Sequence, residues 1–158
     1  IHVRSVSTPA VGAAFGALDS YVEFMKTKVS QATGGKAKDS FTNSMVAAEA
    51  TAVLDREVLT LRRNFEEMFG YLQRGEKIPL DRRVHFRNES ARAVRVSTEV
   101  GEQLVIACGA RAAFEDHPIN RHFQDVHTIR LHHANGPDTP ASNMGGVLFG
   151  QKNTDFFI

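Results

Sequence analysis

The segment ACGARAAFEDHPINRHFQDVHTIRLHH, residues 107–133, contains the end of one helix, a short loop and the start of the next helix. Gly109 can adopt the left-handed conformation that ends many helices. Pro118 suits the first turn of the following helix, because its missing N–H needs no partner there. The predicted helix is dense in titratable side chains, namely His122, Asp125, His127, His132 and His133. This segment therefore predicts both a helical fold and a candidate site.

Apolar residues recur at helical spacing on both sides of that segment. We predict helices over residues 9–29, 40–73, 80–108 and 118–133, with a polar glycine loop at 31–38. The predicted apolar stripe of the second helix is Met45, Ala52, Leu59, Met68 and Leu72. These patterns predict an all-α, up-and-down four-helix bundle that forms a single domain over residues 1–158.

Two further features predict packing. One side of the first helix is thin, which favours close contact with another helix; its small residues are Gly12, Ala13, Ala14, Gly16 and Ala17. Residues 135–150 contain several glycines and prolines, and we expect an irregular C-terminal tail there. The apolar residues 156–158 should pack against the bundle or against a neighbouring subunit.

Composition excludes several classes of protein. The formal net charge is +1, so neither a nucleic-acid partner nor a basic membrane patch is expected. No apolar run approaches the ~20 residues of a membrane helix, and no signal peptide is visible. The single cysteine, Cys108, favours a cytoplasmic location and is interpreted as a small buried hydrophobic residue. The chain begins at Ile1 without methionine, which is compatible with a fragment of a longer chain.

Three chemical interpretations were weighed for the 107–133 segment. His122 and Asp125 have helical metal-ligand spacing, but no second pair accompanies them, so we expect no metal site. The loop before Pro118 offers backbone N–H groups and Arg111 to a phosphate, although a simple helix cap explains it as well. His132 could serve as an acid or base, although histidines near a helix end also act as dipole partners.

The same residues resemble a known family. The order Gly109-Ala110-Arg111, Pro118, Arg121, Asp125 and His132 resembles the C-terminal domain of flavin-dependent monooxygenases with the acyl-CoA dehydrogenase fold. These include the oxygenase components of aromatic and secosteroid hydroxylases. The first helix, PAVGAAFGALDSYVEF, also resembles that domain, so the resemblance covers nearly the whole chain. Gln124 departs from the pattern, since an arginine is common there.

The resemblance implies an oxygenase component that receives reduced FMN or FAD from a separate flavin reductase. It would insert one oxygen atom into an aromatic or polycyclic substrate by way of a C4a-hydroperoxyflavin, and members usually form homo-oligomers (a dimer or tetramer is expected). The resemblance places His132 beside the flavin and substrate, with His133 next to it, where one dehydrogenase subfamily has its catalytic glutamate. It implies that the flavin of a neighbouring subunit meets the loop of Cys108, Gly109, Ala110 and Arg111.

Two alternatives stay open at this point. An acyl-CoA dehydrogenase would need a base such as Glu115 or Asp116, and neither residue lies at the position that the family pattern requires for the catalytic base. A non-catalytic helical oligomerisation domain would need no site at all. The histidine pair, with no carboxylate beside it, favours the monooxygenase.

Overall fold

Five α-helices form the fold of this computed structural model, which describes residues 2–29 and 34–158, with side-chain surroundings from Ser5 onward. Their bounds are His2–Thr27 (α1), Phe41–Gln73 (α2), Leu80–Cys108 (α3), Pro118–Arg130 (α4) and Asp138–Leu148 (α5). Short 3-10 turns cover Ala37–Asp39, Ala110–Ala113 and His133–Asn135. The described residues contain no strand beyond the single bridge between Val29 and Lys36. The all-α prediction is confirmed. None of the helices in this part of the chain is long and apolar enough to span a membrane.

The first four helices run up, down, up and down, as predicted. The end of α1 meets the end of α3, where Lys28 Nζ donates a hydrogen bond to the Cys108 carbonyl over 2.8 Å. The chain between them returns along α2, and Arg82 near the start of α3 pairs with Glu67 near the end of α2. Ser40 caps α2 by accepting a hydrogen bond from the Asn43 N–H. Residues 31–33 of the predicted glycine loop lie outside the described residues.

The predicted thin side of α1 is only partly its packing side, which lies mainly against α3 and α4: Gly12 is exposed, and Ala13 and Gly16 are half-buried. Ala10, Ala14 and Ala17 are fully buried. The predicted start at residue 9 is wrong, because α1 begins at His2 and Pro9 lies inside it. Contacts with other parts of the chain stabilise the turns of α1 that precede Pro9. The Ser7 hydroxyl bonds to that of Ser90 on α3, and the Asn135 amide donates to the Val6 carbonyl.

The predicted apolar stripe of α2 is wrong as its core face. Of its five members only Met68 is buried, and Leu59 is 62% exposed. The face that enters the bundle consists of Ala50, Leu54, Glu57, Leu61, Asn64 and Met68. Two of these are polar and are buried with partners: Glu57 with Arg92, and Asn64 with Glu89. The spacing of apolar residues does not reveal such a face, because it assigns polar residues such as Glu57 and Asn64 to the exposed side of the helix.

The α3 helix agrees with its prediction, whereas the predicted irregular stretch at 135–150 is largely wrong. Residues 138–148 form α5, which packs on α3. Pro140 lies in the first turn of α5, where no intrahelical N–H bond is required. The two glycines at 145 and 146 lie in its last turns. Packing against α3 therefore overrides their weak helix propensity.

The segment after α5 is held by a polar residue rather than by its apolar ones. Asp155 is 5% exposed, whereas Phe156 is 93% exposed and Phe157 is 36% exposed. Asp155 pairs with Arg87 of α3. Within one chain, Phe157 contacts the bundle and Ile158 is half-buried, whereas packing of residues 156–158 against a neighbouring subunit stays a prediction.

Candidate functional site

The loop between α3 and α4 has the conformation that its sequence predicts. Gly109 caps α3 with a φ of 77°, in the region that favours glycine. Arg111 is exposed and pairs with Asp116 over 2.7 Å, with its guanidinium against the Phe114 ring. Cys108 is 1% exposed, and burial raises the pKa of its thiol to about 11. This cysteine is therefore a neutral, packed residue and not a nucleophile.

An open groove of about 980 Å³ lies beside this loop. Its lining includes Lys28, Cys108, Gly109, Ala110 and Arg111, together with residues 35–37 and Phe114. The Lys28 ammonium group uses one donor on the Cys108 carbonyl and lies over the Phe24 ring at 5.3 Å. It stands 3.9 Å from where a Cβ on Gly109 would be. No sequence pattern points to Lys28, because it lies 80 residues from its partner, Cys108.

His117 is a second residue that sequence reasoning missed. It is 4% exposed and caps α4, because its Nδ1 accepts a hydrogen bond from the Ile119 N–H over 3.3 Å. Its ring packs edge-on against Phe24 at 4.5 Å. Burial lowers the pKa of His117, and the nearby charge of Arg111 lowers it further. His117 is therefore a neutral structural cap; its position before Pro118 was the available signal.

The histidine pair lies just beyond α4 and not on it. The predicted helix end at residue 133 is wrong, since α4 ends at Arg130. The amide of Asn135 donates a hydrogen bond to the Ile129 carbonyl over 2.8 Å, which satisfies a carbonyl in the last turn. His132 then caps the 3-10 turn His133–Asn135.

The two histidines have different surroundings. His132 Nδ1 accepts a hydrogen bond from the Ala134 N–H over 3.2 Å, so the neutral imidazole carries its proton on Nε2. His133 packs against Phe157, with ring centroids 5.0 Å apart and planes at 60°. Both histidines are exposed. Neither histidine lies in an α-helix, so the ~100° between the directions of adjacent α-helical residues does not apply to them.

The structure does not bring the two predicted groups of site residues together. The loop precedes α4 and the histidine pair follows it, and this helix has 13 residues. At ~1.5 Å per residue the two groups are separated by about 20 Å. They therefore belong to two separate places on the domain.

The structure also shows the surroundings of three other residues that the sequence singled out, namely His122, Glu115 and Asp116. His122 lies against the backbone of Gly16 in α1. Glu115 and Asp116 are exposed, and Asp116 is paired with Arg111. Within residues 2–29 and 34–158, no three His, Cys, Asp or Glu side chains gather as a metal site would require.

The groove offers a positive charge and hydrogen-bond donors to an anionic group. Lys28 supplies a positive charge, since its ammonium group has donors beyond the one used on Cys108. Gly109 leaves its backbone open on that side, because no side chain covers it. Arg111 contributes less charge, since Asp116 already neutralises it. The loop thus has the donors that an anionic group needs.

Comparison with known proteins identifies the family. The family model for the acyl-CoA dehydrogenase C-terminal domain matches residues 5–137. The whole chain is 32% identical to a flavin-dependent monooxygenase, oxygenase subunit HsaA, from Rhodococcus jostii (strain RHA1), and it covers 42% of that protein. The chain thus spans about two fifths of the length of the curated relatives it matches.

Solved structures agree with this assignment. The HsaA monooxygenase from M. tuberculosis is 31% identical, with a TM-score of 0.85 over 97% of this chain and 40% of that one. XiaF from Streptomyces sp., solved in complex with FADH2 and glycerol, is 19% identical, with a TM-score of 0.90 over 97% of this chain and 39% of that one; at this identity it supports the fold alone. The resemblance drawn from the sequence is confirmed. The chain belongs to the acyl-CoA dehydrogenase C-terminal domain family, and curated relatives that match its whole length are oxygenase subunits of flavin-dependent monooxygenases.

Proposed function

We propose that this chain is the C-terminal domain of the oxygenase component of a two-component flavin-dependent monooxygenase that hydroxylates an aromatic or polycyclic compound. The observation that carries the proposal is the histidine pair at 132 and 133, in a domain whose relatives are named oxygenase subunits. Reduced FMN or FAD from a separate reductase would supply the activation of molecular oxygen. The single unpaired cysteine, Cys108, supports a cytoplasmic location.

His132 is the proposed hydrogen-bond donor of the site. Since its Nδ1 already accepts the Ala134 N–H, its Nε2–H is the group left to donate a hydrogen bond to the reacting oxygen. Removing a proton from a phenol at Nε2 would first require moving the imidazole proton to Nδ1, which breaks the cap. The hydrogen-bond arrangement therefore favours donation over base catalysis for this residue.

Cys108, Gly109, Ala110 and Arg111, with Lys28, form the proposed contact with a flavin bound to a neighbouring subunit. The separation of the loop from the histidine pair supports this division, because one reactive ring cannot touch both ends of α4. The loop would hold the anionic part of one flavin, and the histidines would face another.

A homo-oligomer, a dimer or tetramer, is part of the proposal. Seven large apolar side chains on α2 are more than 40% exposed, and four of them recur at spacings of seven, four and three residues: Val58, Phe65, Phe69 and Leu72. We call these four residues the α2 seam. Their heptad-like spacing matches a helix partner with the same spacing, which a second copy of this chain provides.

The test uses the full-length protein that carries this domain. Supplied with reduced FMN or FAD under ¹⁸O₂, it should incorporate one labelled oxygen into a phenolic substrate. The matched control omits the flavin reductase and its reductant, and should give no product. Reduction of an artificial electron acceptor by an acyl-CoA substrate would instead identify a dehydrogenase. Failure to bind either flavin would indicate the oligomerisation domain.

A further inference from the structure

The segment 151–158 is attached to α3 through a buried ion pair. Arg87 Nε lies 3.1 Å from Asp155 Oδ2, and the two side chains are 4% and 3% exposed. Burial lowers the pKa of the Arg87 guanidinium, and the charge of Asp155 opposes that shift. Because a buried charge is costly without its partner, Asp155 determines where this segment docks.

The same carboxylate fixes the residue that follows. Asp155 Oδ1 accepts the N–H of Phe157 over 2.9 Å, in the local turn that aspartate side chains commonly form. The Phe157 ring lies 5.4 Å from the Arg87 guanidinium carbon and 5.0 Å from the His133 ring. Phe157 thus connects the ion pair to the histidine turn.

A second set of contacts holds the segment from its other end. Asn143 of α5 donates a hydrogen bond to Asn153 Oδ1 over 2.9 Å and accepts one from the Thr154 N–H over 2.7 Å. Asn143 is 5% exposed. The position of Phe157 is therefore set by α5 on one side and by α3 on the other.

We propose that Phe157 is a positioning residue for His133, and that the Arg87–Asp155 ion pair locks Phe157 in that position. His133 is exposed, so its ring has few other packing contacts to select one orientation. Holding it against Phe157 also restricts the turn that carries His132. The catalytic consequence rests on the proposed function; the positioning itself does not.

Nuclear magnetic resonance of the 158-residue chain tests the positioning without any flavin. The Phe157 ring should shift the imidazole proton resonances of His133, which the His133→Asn variant assigns. Phe157→Leu should abolish this ring-current shift, and Phe157→Tyr should retain it. The matched control is Phe149→Leu, which removes an 85% exposed ring outside this segment and should leave His133 unchanged. An unchanged His133 in Phe157→Leu, or an equal change in Phe149→Leu, would overturn the proposal.

A second experiment tests whether the Arg87–Asp155 ion pair holds Phe157 in its position. The double variant Arg87→Met/Asp155→Leu removes both charges and keeps the site apolar, so the fold should survive. It also removes the acceptor of the Phe157 N–H, and the ring-current shift on His133 should be lost. Asp155→Asn keeps a possible acceptor and should weaken the shift rather than abolish it. Retention of the full shift in the double variant would overturn the role of the ion pair.

The catalytic consequence is tested in the full-length protein. Phe157→Leu should lower kcat for hydroxylation by about 10-fold, because the turn that carries His132 would no longer be restricted and a misplaced catalytic side chain slows the reaction. The KM for reduced flavin should stay the same, and Phe157→Tyr should restore kcat. A lost ring-current shift with unchanged kcat would overturn the catalytic consequence alone. Absence of hydroxylation in the unmodified protein would refute the proposed function and leave the positioning result standing.

Discussion

The imidazole of His122 on α4 lies directly on the backbone of Gly16 on α1. A Cβ at Gly16 would stand 2.5 Å from His122 Cε1, closer than any real contact, whereas a Cβ at Gly12 would meet nothing within 4 Å. The two glycines lie one helical turn apart in the same helix. The same substitution at each of the two glycines therefore distinguishes the effect of side-chain packing on stability from the effect of helix propensity.

We expect Gly16→Ala to destabilise the domain by about 1–3 kcal/mol, because the His122 ring must move away from α1. Gly12→Ala should stabilise it by roughly 0.5–1 kcal/mol, since alanine loses less backbone entropy in a helix. Urea denaturation at fixed protein concentration measures both. Equal effects of the two substitutions would contradict the close α1–α4 contact.

Removal of one partner from the buried Arg87–Asp155 ion pair should destabilise the domain strongly. Asp155→Ala leaves the Arg87 guanidinium buried without its counter-charge, and we expect a loss of roughly 3–5 kcal/mol. The double variant Arg87→Met/Asp155→Leu should recover most of that loss. The measurement is the free energy of unfolding in urea, and an Asp155→Ala variant as stable as the unmodified chain would count against the pair.

His117 should make the domain less stable in mild acid. Burial, then the charges of Arg111 and Lys28, lower its folded-state pKa below the unfolded value of 6.5, while Asp116 opposes them. The unfolded chain therefore binds more protons below that pH, so stability is full above pH 6.5 and falls as the pH drops toward the folded-state pKa.

The variant His117→Asn removes the titration and keeps a side-chain acceptor for the α4 cap. Its unfolding free energy should fall less than that of the unmodified chain as the pH is lowered from neutral through the unfolded pKa. Thermal unfolding across a pH series provides the comparison. Parallel curves for the two proteins would show that His117 is not the group responsible.

The α2 seam should mediate self-association. The double substitution Phe65→Glu/Phe69→Glu places two charges in the seam and should yield monomers, since like charges would face each other across an interface between copies. Phe149→Glu, at an 85% exposed position off α2, is the control and should keep the oligomer. Light scattering measures the mass. A monomeric unmodified protein at high micromolar concentration would contradict the predicted oligomer.

His132 should be the more important histidine of the pair. In the full-length protein, His132→Ala should lower hydroxylation by roughly 10²–10³-fold, because a preorganised hydrogen-bond donor to the developing charge is lost. Binding of reduced flavin should change little, and more hydrogen peroxide should be released per reduced flavin consumed. His133→Ala should have a smaller effect, because its ring is committed to Phe157. Normal coupled turnover in His132→Ala would remove the assignment.

Local sequence signals predicted the boundaries around the α3–α4 loop. Gly109 adopts its positive φ, and Pro118 occupies the first turn of α4. Both outcomes depend on the conformational limits of one residue, so they can be predicted without knowing what packs nearby. Apolar residues of α3 at helical spacing are also buried, namely Val84, Ala91, Val94, Val96, Val100 and Leu104, whereas Ala107 in the last turn is half-buried.

The sequence by itself thus determined the all-α class, the order of the first four helices and the family. Only the tertiary structure decided which face of α2 enters the core, that residues 138–148 are helical, and that α4 ends before the histidine pair. In each case a contact from far along the chain takes part: Arg92 on Glu57, α3 against α5, and the Val6 carbonyl of α1 on the Asn135 amide that also bonds to Ile129. Periodicity and propensity describe only neighbours within a few turns, and these partners lie beyond that range.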